Sequence, residues 1–153
     1  MATRIKPAPK ALYEEDFYVW TGRQAELLRA RRYDELDLEH LIEEVEDLGG
    51  ALKRSVRSRV RTIIEHLLKL QHSPAIEPRP GWRDTVRTQR DDLLDDLTPT
   101  LRRELEGELE EVYARARQRA AGSLRDHGEH AAADALPKTC PYTPDQIIGD
   151  WLP

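Results

Sequence analysis

The chain has 153 residues, of which 35% are charged and 6% aromatic, and its 24 Lys and Arg against 29 Asp and Glu leave a net charge of −5. This length suits one domain with a single core, and so small a net charge indicates no partner by long-range electrostatics. The single cysteine excludes an intramolecular disulfide and a four-thiolate metal site, which favours a reducing, cytoplasmic setting. No apolar run approaches the roughly 18 to 20 residues of a membrane span, so no membrane-embedded segment is expected.

The N-terminal part of the sequence predicts a leader followed by a helix. Residues 1–12 are expected to be a disordered leader, because no apolar segment follows their positive charges. Apolar and aromatic residues at three- and four-residue steps, among them Trp20 and Leu27, then predict a first helix over residues 14–32. Asp37 is the expected N-cap of the helix that follows.

The strongest periodic pattern predicts a second helix over residues 38–71. Apolar residues keep helical spacing from Leu41 to Leu70, and about 34 residues at about 1.5 Å each give a helix of roughly 50 Å. Gly49 and Gly50 lie in its middle, where each glycine costs about 1 kcal/mol relative to alanine. A continuous helix and a helix broken at the two glycines therefore both stay open.

Prolines and caps mark the next elements. The three prolines within residues 73–80 predict a stiff, extended connection, and periodic apolar residues then predict a third helix over residues 81–97. Thr98 as N-cap and Pro99 in the first helical position predict the start of a fourth helix, over residues 99–121. Gly122 is the expected stop of that helix.

The C-terminal part is less regular. Residues 123–135 are alanine-rich and favour a short helix, which Gly128 weakens. In the proline-rich tail, Thr143 and Pro144 predict a helix of one or two turns. The bulky apolar residues of the tail are expected to pack against the helices.

Together these elements predict an all-α fold. We expect an up-and-down bundle of about four helices, with a long second helix and an irregular, proline-rich C-terminal tail, in a single domain over residues 13–153. The ends of so long a helix overhang its neighbours, so they need helix one, the tail or a second copy of the chain to cover them. A homodimer formed through helix two or through the tail is the expected assembly.

Several segments in the same order resemble a bacterial family catalogued as domain of unknown function twenty-nine. The resemblance extends over nearly the whole chain, from Tyr13 to Pro153, and rests on residues 13–20, 24–29, 36–49, 66–69, 82–83, 89–90 and 140–143. It implies a mostly helical bundle, found in small bacterial proteins, with no established activity.

Acidic residues and histidines of the second helix are the first candidates for chemistry. Carboxylates and imidazoles three or four residues apart can bind a metal when neighbouring helices add ligands, which makes Asp37, His40 and Glu44 metal candidates. The catalytic candidates are His66, Glu44, Glu43 and His40. The chain lacks the Glu-x-x-His pairs of di-iron bundles, so a solvated acidic face is the favoured interpretation, with His66 as a hydrogen-bonded core histidine.

A second metal candidate lies in the alanine-rich segment. His127, His130 and Asp134 would share one face of a helix, although Gly128 falls between the first two. An exposed polar segment is the favoured interpretation. No cofactor is expected.

Arginines of helices two and three form the nucleic-acid candidate. Arg54, Arg57, Arg61, Arg83 and Arg87 could contact phosphates. The acidic residues of helices three and four offer a simpler account, in which opposite charges on neighbouring helices pair. Nucleic-acid binding is therefore not favoured.

A lone thiol completes the candidates. No local motif activates Cys140, which is interpreted as a buried, inert residue. The sequence therefore favours a non-enzymatic protein–protein interaction module, a homodimer with a further protein partner as a possibility, over a metal-binding or enzymatic bundle and over a nucleic-acid-binding protein.

Overall fold

The computed structural model describes residues 9–153, with side chains from Ala11 onward. A single 3₁₀ turn, Tyr33–Glu35, lies between the second and third helices, and no strand occurs in residues 9–153, which confirms the all-α fold. The helices are α1 (Pro9–Glu15), α2 (Phe17–Arg29), α3 (Leu38–His72), α4 (Arg79–Asp96), α5 (Pro99–Asp126), α6 (His130–Asp134) and α7 (Pro144–Ile148). None of these helices is long and apolar enough to cross a membrane.

The described chain divides into two compact units. The N-terminal unit ends at Ala51 and the C-terminal unit runs from Leu52 to Pro153, so that α3 contributes to both. The expectation of one domain over residues 13–153 stays a prediction. Residues 1–8 of the expected leader lie outside the described part, and residues 9–12 of it belong to the helix α1.

The predicted first helix is two helices. Asp16 separates α1 from α2, and its carboxylate accepts a hydrogen bond from the Val19 N–H at 3.0 Å, as an N-cap does. The sequence periodicity passes through Asp16 without interruption, but a short aspartate side chain competes for backbone N–H groups and so favours a cap over a helix interior. The helix α2 ends at Arg29, about one turn before residue 32, where the sequence predicted the end of the first helix.

The second predicted helix is continuous. α3 runs without interruption for 35 residues and includes Gly49 and Gly50. Their combined cost of about 2 kcal/mol is spread over a helix in which each further residue adds a hydrogen bond, so the glycines alone do not end it.

The long helices of the C-terminal unit run up, down and up. Ser55 and Arg59 of α3 bind the α4 carboxylates of Asp96 and Asp92 respectively, so α3 and α4 are antiparallel. Contacts from α3 to α5 advance in the same direction, from the Lys53–Glu104 pair to the Glu65–Arg119 pair, so these two helices are parallel. This order supports the predicted bundle. Its core residues are Val56, Val60, Ile63, Ile64, Leu67, Leu68, Val86, Leu93, Leu105, Val112, Tyr113, Ala116, Ala120 and Leu124.

Gly122 does not end α5, which corrects the prediction for this helix. The helix continues to Asp126. Gly128 then turns the chain away from the helix: its φ of 78° gives the left-handed conformation in which the Glu129 N–H bonds back to the Leu124 carbonyl. Leu124 is buried, so the apolar face of the helix extends beyond Gly122.

The tail packs into the C-terminal unit, as predicted. Thr143 and Gln146 form a capping box at the start of the short helix α7. Tyr142, Ile147 and Ile148 belong to the same buried cluster as the long helices. The tail therefore completes the core.

Candidate functional site

A polar cluster around Asp37 holds the N-terminal unit together. The Asp37 carboxylate accepts hydrogen bonds from Trp20 Nε1 at 3.2 Å and from His40 Nδ1 at 2.7 Å, while its backbone N–H donates to Gln24 Oε1 at 2.9 Å. Trp20, Gln24 and Asp37 are all buried. Burial by itself would raise the pKa of Asp37, but the hydrogen bonds from His40 and Trp20 hold that pKa below its ordinary value.

Tyr13 extends this cluster. Its ring stacks on the His40 imidazole at 3.9 Å between centroids, and its hydroxyl donates to Glu44 Oε1 at 2.6 Å. The hydrogen bond to Glu44, followed by burial, raises the pKa of Tyr13 to about 12. The segments 13–20, 24–29 and 36–49 that carry the family resemblance therefore meet in one structural cluster.

The cluster does not form the metal site that the sequence suggested. Asp37 and His40 are adjacent, but Glu44 is bound to Tyr13, and no group of three or more His, Cys, Asp or Glu residues suited to a metal occurs among the described residues. With Asp37 holding Nδ1, the second nitrogen of His40 could act as a base. Within the described chain, no serine, threonine or cysteine side chain bonds to it.

The catalytic candidates are divided between the units. His40, Glu43 and Glu44 belong to the N-terminal unit, whereas His66 belongs to the C-terminal unit. His66 Nδ1 lies 2.9 Å from the Thr62 carbonyl oxygen, and burial lowers the pKa of His66. A hydrogen-bonded, partly buried histidine is what the sequence predicted at this position.

A buried ion pair lies beside His66. Lys69 Nζ donates to Glu65 Oε1 at 2.8 Å, Arg119 lies 3.2 Å from the other oxygen of Glu65, and the Trp82 ring lies 6.0 Å from Lys69. A buried ion pair adds little net stability, because both charges lose their hydration, but removing one partner leaves the other charge buried and unpaired. This arrangement brings together two further segments of the family resemblance, 66–69 and 82–83.

The second metal candidate is not assembled. The end of α5 at Asp126 places His127 outside the helix that begins at His130, so the three side chains do not share one helical face. His127 Nδ1 contacts the Ser123 carbonyl oxygen at 2.7 Å, and Asp134 binds Arg125 at 2.8 Å.

The arginine candidates separate into two groups. Arg54, Arg57 and Arg61 of α3 line one cavity with residues of α5, whereas Arg83 and Arg87 of α4 are not part of its lining. The paired charges expected from the sequence are confirmed on the same faces: Lys53 binds Glu104 and Glu108, Arg57 binds Glu108 and Glu111, and Arg59 contacts Asp92 and Asp96.

The tail thiol is held in a structural setting. Cys140 Sγ lies 3.5 Å from the Tyr142 carbonyl oxygen, and burial raises the pKa of the thiol. A raised pKa keeps the sulfur protonated and therefore unreactive. The raised pKa supports the inert part of the prediction, whereas Cys140 is partly buried and not fully buried as the sequence predicted.

Sequence reasoning missed Arg90 as an anchor of the tail. Its buried guanidinium donates to the carbonyl oxygens of Ile147, Gln146 and Trp151, at 2.9, 2.7 and 2.8 Å. A signal was available, because Arg90 lies four residues after Val86 and three before Leu93, on the buried face of α4. The partner atoms are backbone oxygens, which no residue pattern reveals.

An apolar surface remains open on the N-terminal unit. On α3, Leu38, Ile42, Val45 and Leu48 are 59%, 50%, 62% and 72% exposed. Their spacing of four, three and three residues places them along one side of the helix. We call these four residues the α3 stripe.

A family model matches residues 12–152, under the description Domain of unknown function DUF29. No curated protein and no solved structure matches the chain. The match extends over nearly the whole chain and includes every segment on which the sequence resemblance rests. The chain therefore belongs to the DUF29 family of unknown function.

Proposed function

We propose that this protein is a non-enzymatic, cytoplasmic interaction module that forms a homodimer through the α3 stripe. The observation that carries the proposal is the exposure of the stripe's four large apolar side chains. Contiguous exposed apolar surface of this kind is typical of protein–protein contacts. The occupant we assign is a second copy of the chain.

The N-terminal unit has a small core, which favours a permanent partner such as a second copy of the chain. Among its described residues, Trp20 and Leu27 are the buried large apolar side chains, whereas nine large apolar side chains are exposed. Units of a few tens of residues seldom bury enough surface to be stable without a disulfide, a metal or an oligomer contact. The one cysteine, Cys140, lies outside this unit.

The stripe is compatible with two-fold self-pairing. In an antiparallel pair of α3 helices centred on Val45, Ile42 of one copy lies opposite Leu48 of the other, as an isologous interface requires. A Cβ built on Gly49 meets nothing within 4 Å, so the open space beside Leu48 is free for the neighbouring helix. At 100° per residue, Glu43 and Asp47 lie on the far side of α3 from Val45, where their charges do not oppose pairing.

The contacts of three of the four catalytic candidates support a structural role for these three. His40 is fixed by Asp37 and Tyr13, Glu44 is bound by Tyr13, and His66 contacts a backbone carbonyl. These side chains already have partners that explain their presence. A non-enzymatic module needs nothing more from them.

Light scattering coupled to gel filtration tests the dimer. We expect a mass near 35.4 kDa, twice the 17.7 kDa of one chain. Val45→Glu with Leu48→Glu places charges in the stripe and should weaken dimerisation at least about 10-fold, because a buried charge at an interface centre lacks a partner. Both side chains are exposed in the chain, so the helical content measured by circular dichroism should not change.

A matched control and a second variant make the test specific. Ile76→Glu with Leu94→Glu adds the same charge at side chains of the C-terminal unit that are 80% and 58% exposed, and should leave the dimer intact. Gly49→Leu should stabilise the helix by about 1 kcal/mol. The same substitution should weaken dimerisation, because the leucine side chain fills the space that the neighbouring helix would occupy. A 17.7 kDa species at all concentrations, or equal weakening by the stripe and control variants, contradicts the proposal.

A further inference from the structure

The C-terminal unit contains a cavity lined by four arginines. The cavity of about 430 Å³ lies between α3 and α5. Arg54, Arg57 and Arg61 line it from α3 with Ser58, because residues three and four apart share one side of a helix. From α5, Arg115 and Glu111 line the opposite wall.

The charges of this cavity are not balanced. Glu111 is its one acidic lining residue and is shared, with Arg57 Nη2 at 2.7 Å and Arg115 Nη2 at 3.6 Å from the same oxygen. Arg57 Nη1 also lies 3.2 Å from Glu108, so four guanidinium groups against two carboxylates leave a local charge of +2 around the cavity. The C-terminal unit as a whole has 17 Lys and Arg and 17 Asp and Glu, so the excess is local.

Two of the arginines lack an acidic partner. Neither Arg54 nor Arg61 forms an ion pair among the described residues. Arg61 Nη2 reaches Ser58 Oγ at 3.3 Å, and the buried Nε atom of Arg61 has no hydrogen-bond partner. On the same helix, Lys53 and Arg59 each contact two carboxylates. Among the described Lys and Arg side chains of α3, the two without an ion pair are therefore Arg54 and Arg61, and both line the cavity.

Guanidinium groups in this arrangement suit a compact oxyanion. The planar fork of arginine binds phosphate oxygens in a bidentate manner, and a cavity of about 430 Å³ is of the size that holds a small molecule. We propose that this cavity binds a phosphate-bearing small molecule, with Arg54 and Arg61 as the guanidinium groups free to hold its phosphates. An extended nucleic-acid strand fits less well, because Arg83 and Arg87 are not in the lining and Arg87 is paired with Asp84.

Calorimetric titration with inorganic tripolyphosphate tests this site. The 153-residue chain should bind one tripolyphosphate. Arg54→Gln with Arg61→Gln should weaken that binding at least about 10-fold, because the charge-assisted contacts of both guanidinium groups with the phosphates are lost. Arg83→Gln with Arg87→Gln removes the same charge from exposed side chains of α4 and should change the affinity less than about 2-fold. Circular dichroism checks that both variants are folded.

The outcomes that would overturn the site are distinct. No binding of tripolyphosphate at low salt, or equal weakening by both arginine pairs, removes the cavity as a specific site. A single-stranded oligonucleotide that binds more tightly than tripolyphosphate and depends equally on both pairs assigns the arginines to a nucleic-acid surface instead. Stripe variants that abolish the dimer should leave tripolyphosphate affinity unchanged, so the failure of one proposal does not entail failure of the other.

Discussion

Single polar side chains fix the geometry of the N-terminal unit. Asp37 connects α2 to the start of α3. Its carboxylate accepts hydrogen bonds from Trp20 and His40, and its backbone N–H donates one to the side chain of Gln24. A buried carboxylate is costly unless hydrogen bonds satisfy it, and here each contact also sets the position of a neighbouring side chain. The cluster thus orients α2 against the first turns of α3.

The end of α2 contains a residue in an unfavourable conformation. Arg31 has a φ of 55°, and around it the Arg32 N–H bonds to the Leu27 carbonyl and the Arg31 N–H to the Leu28 carbonyl. This is the hydrogen-bond pattern of a helix end that usually has glycine at the left-handed position.

Replacing Arg31 by glycine should therefore stabilise the protein. We expect Arg31→Gly to raise the free energy of unfolding by about 1 kcal/mol, the cost of a left-handed conformation for a residue with a Cβ. Urea denaturation followed by circular dichroism measures it. The control is Arg29→Gly, inside the helix, which should lower stability by up to about 1 kcal/mol. A loss of stability in Arg31→Gly contradicts the argument.

At the level of elements, the tail depends on α4. Arg90 binds three carbonyl oxygens of the tail through two nitrogens of one rigid, planar group. Burial lowers the pKa of Arg90, although a guanidinium remains charged at neutral pH. The packing of α7 is therefore coupled to a single side chain of another helix.

Replacement of Arg90 by lysine should release the tail. A lysine keeps the charge but has one nitrogen, which cannot reach all three oxygens, so we expect Arg90→Lys to cost about 2 to 3 kcal/mol. Hydrogen exchange of the Ile147 and Gly149 amides should accelerate, since these groups close α7. Arg87→Lys on an exposed part of α4 is the control. Unchanged exchange in Arg90→Lys would show that apolar packing alone holds the tail.

Across the whole molecule, apolar exposure is unevenly distributed. Nine of the twelve exposed large apolar side chains described belong to the N-terminal unit, although the C-terminal unit is the larger of the two. The core of the C-terminal unit is completed by its own tail, whereas the side chains of the α3 stripe are left exposed by the part of the chain that the structure describes. This contrast places the proposed dimer contact in the N-terminal unit.

Acid should destabilise the molecule through its partly buried histidines. Burial lowers the pKa of both His66 and His72 from 6.5, so below pH 6.5 the unfolded chain binds protons that the folded chain does not. Their contribution to stability is therefore fully present above pH 6.5 and is lost as the pH falls below it.

Denaturation measured from pH 7.5 down to pH 5 tests this effect. His66→Gln with His72→Gln should flatten the fall in the free energy of unfolding, and His130→Gln, at an exposed position, should leave the fall unchanged. An equally steep fall in the double variant and in the unaltered chain would mean that other groups cause it.

Sequence patterns determined the parts of this protein that depend on short-range chemistry. Helical periodicity predicted α3, α4 and the apolar tail, and the local caps Thr98 and Thr143 located the starts of α5 and α7, because a cap needs only the next three residues. The same patterns misplaced the stop of α5, because the buried Leu124 extends the apolar face of the helix beyond Gly122. They also missed the break at Asp16, because the apolar periodicity continues through this local cap.

Tertiary structure alone decided which side chains meet. Tyr13 with His40, Arg90 with the tail carbonyls, and Arg115 with the arginines of α3 are each separated by many residues, and a residue pattern carries no signal for the angle at which two helices pack. The sequence predicted arginines that could contact phosphates. Only the packing of α5 against α3 decided which of these arginines have carboxylate partners. In the described chain Arg57 is paired with carboxylates of α5, whereas Arg54 and Arg61 are not.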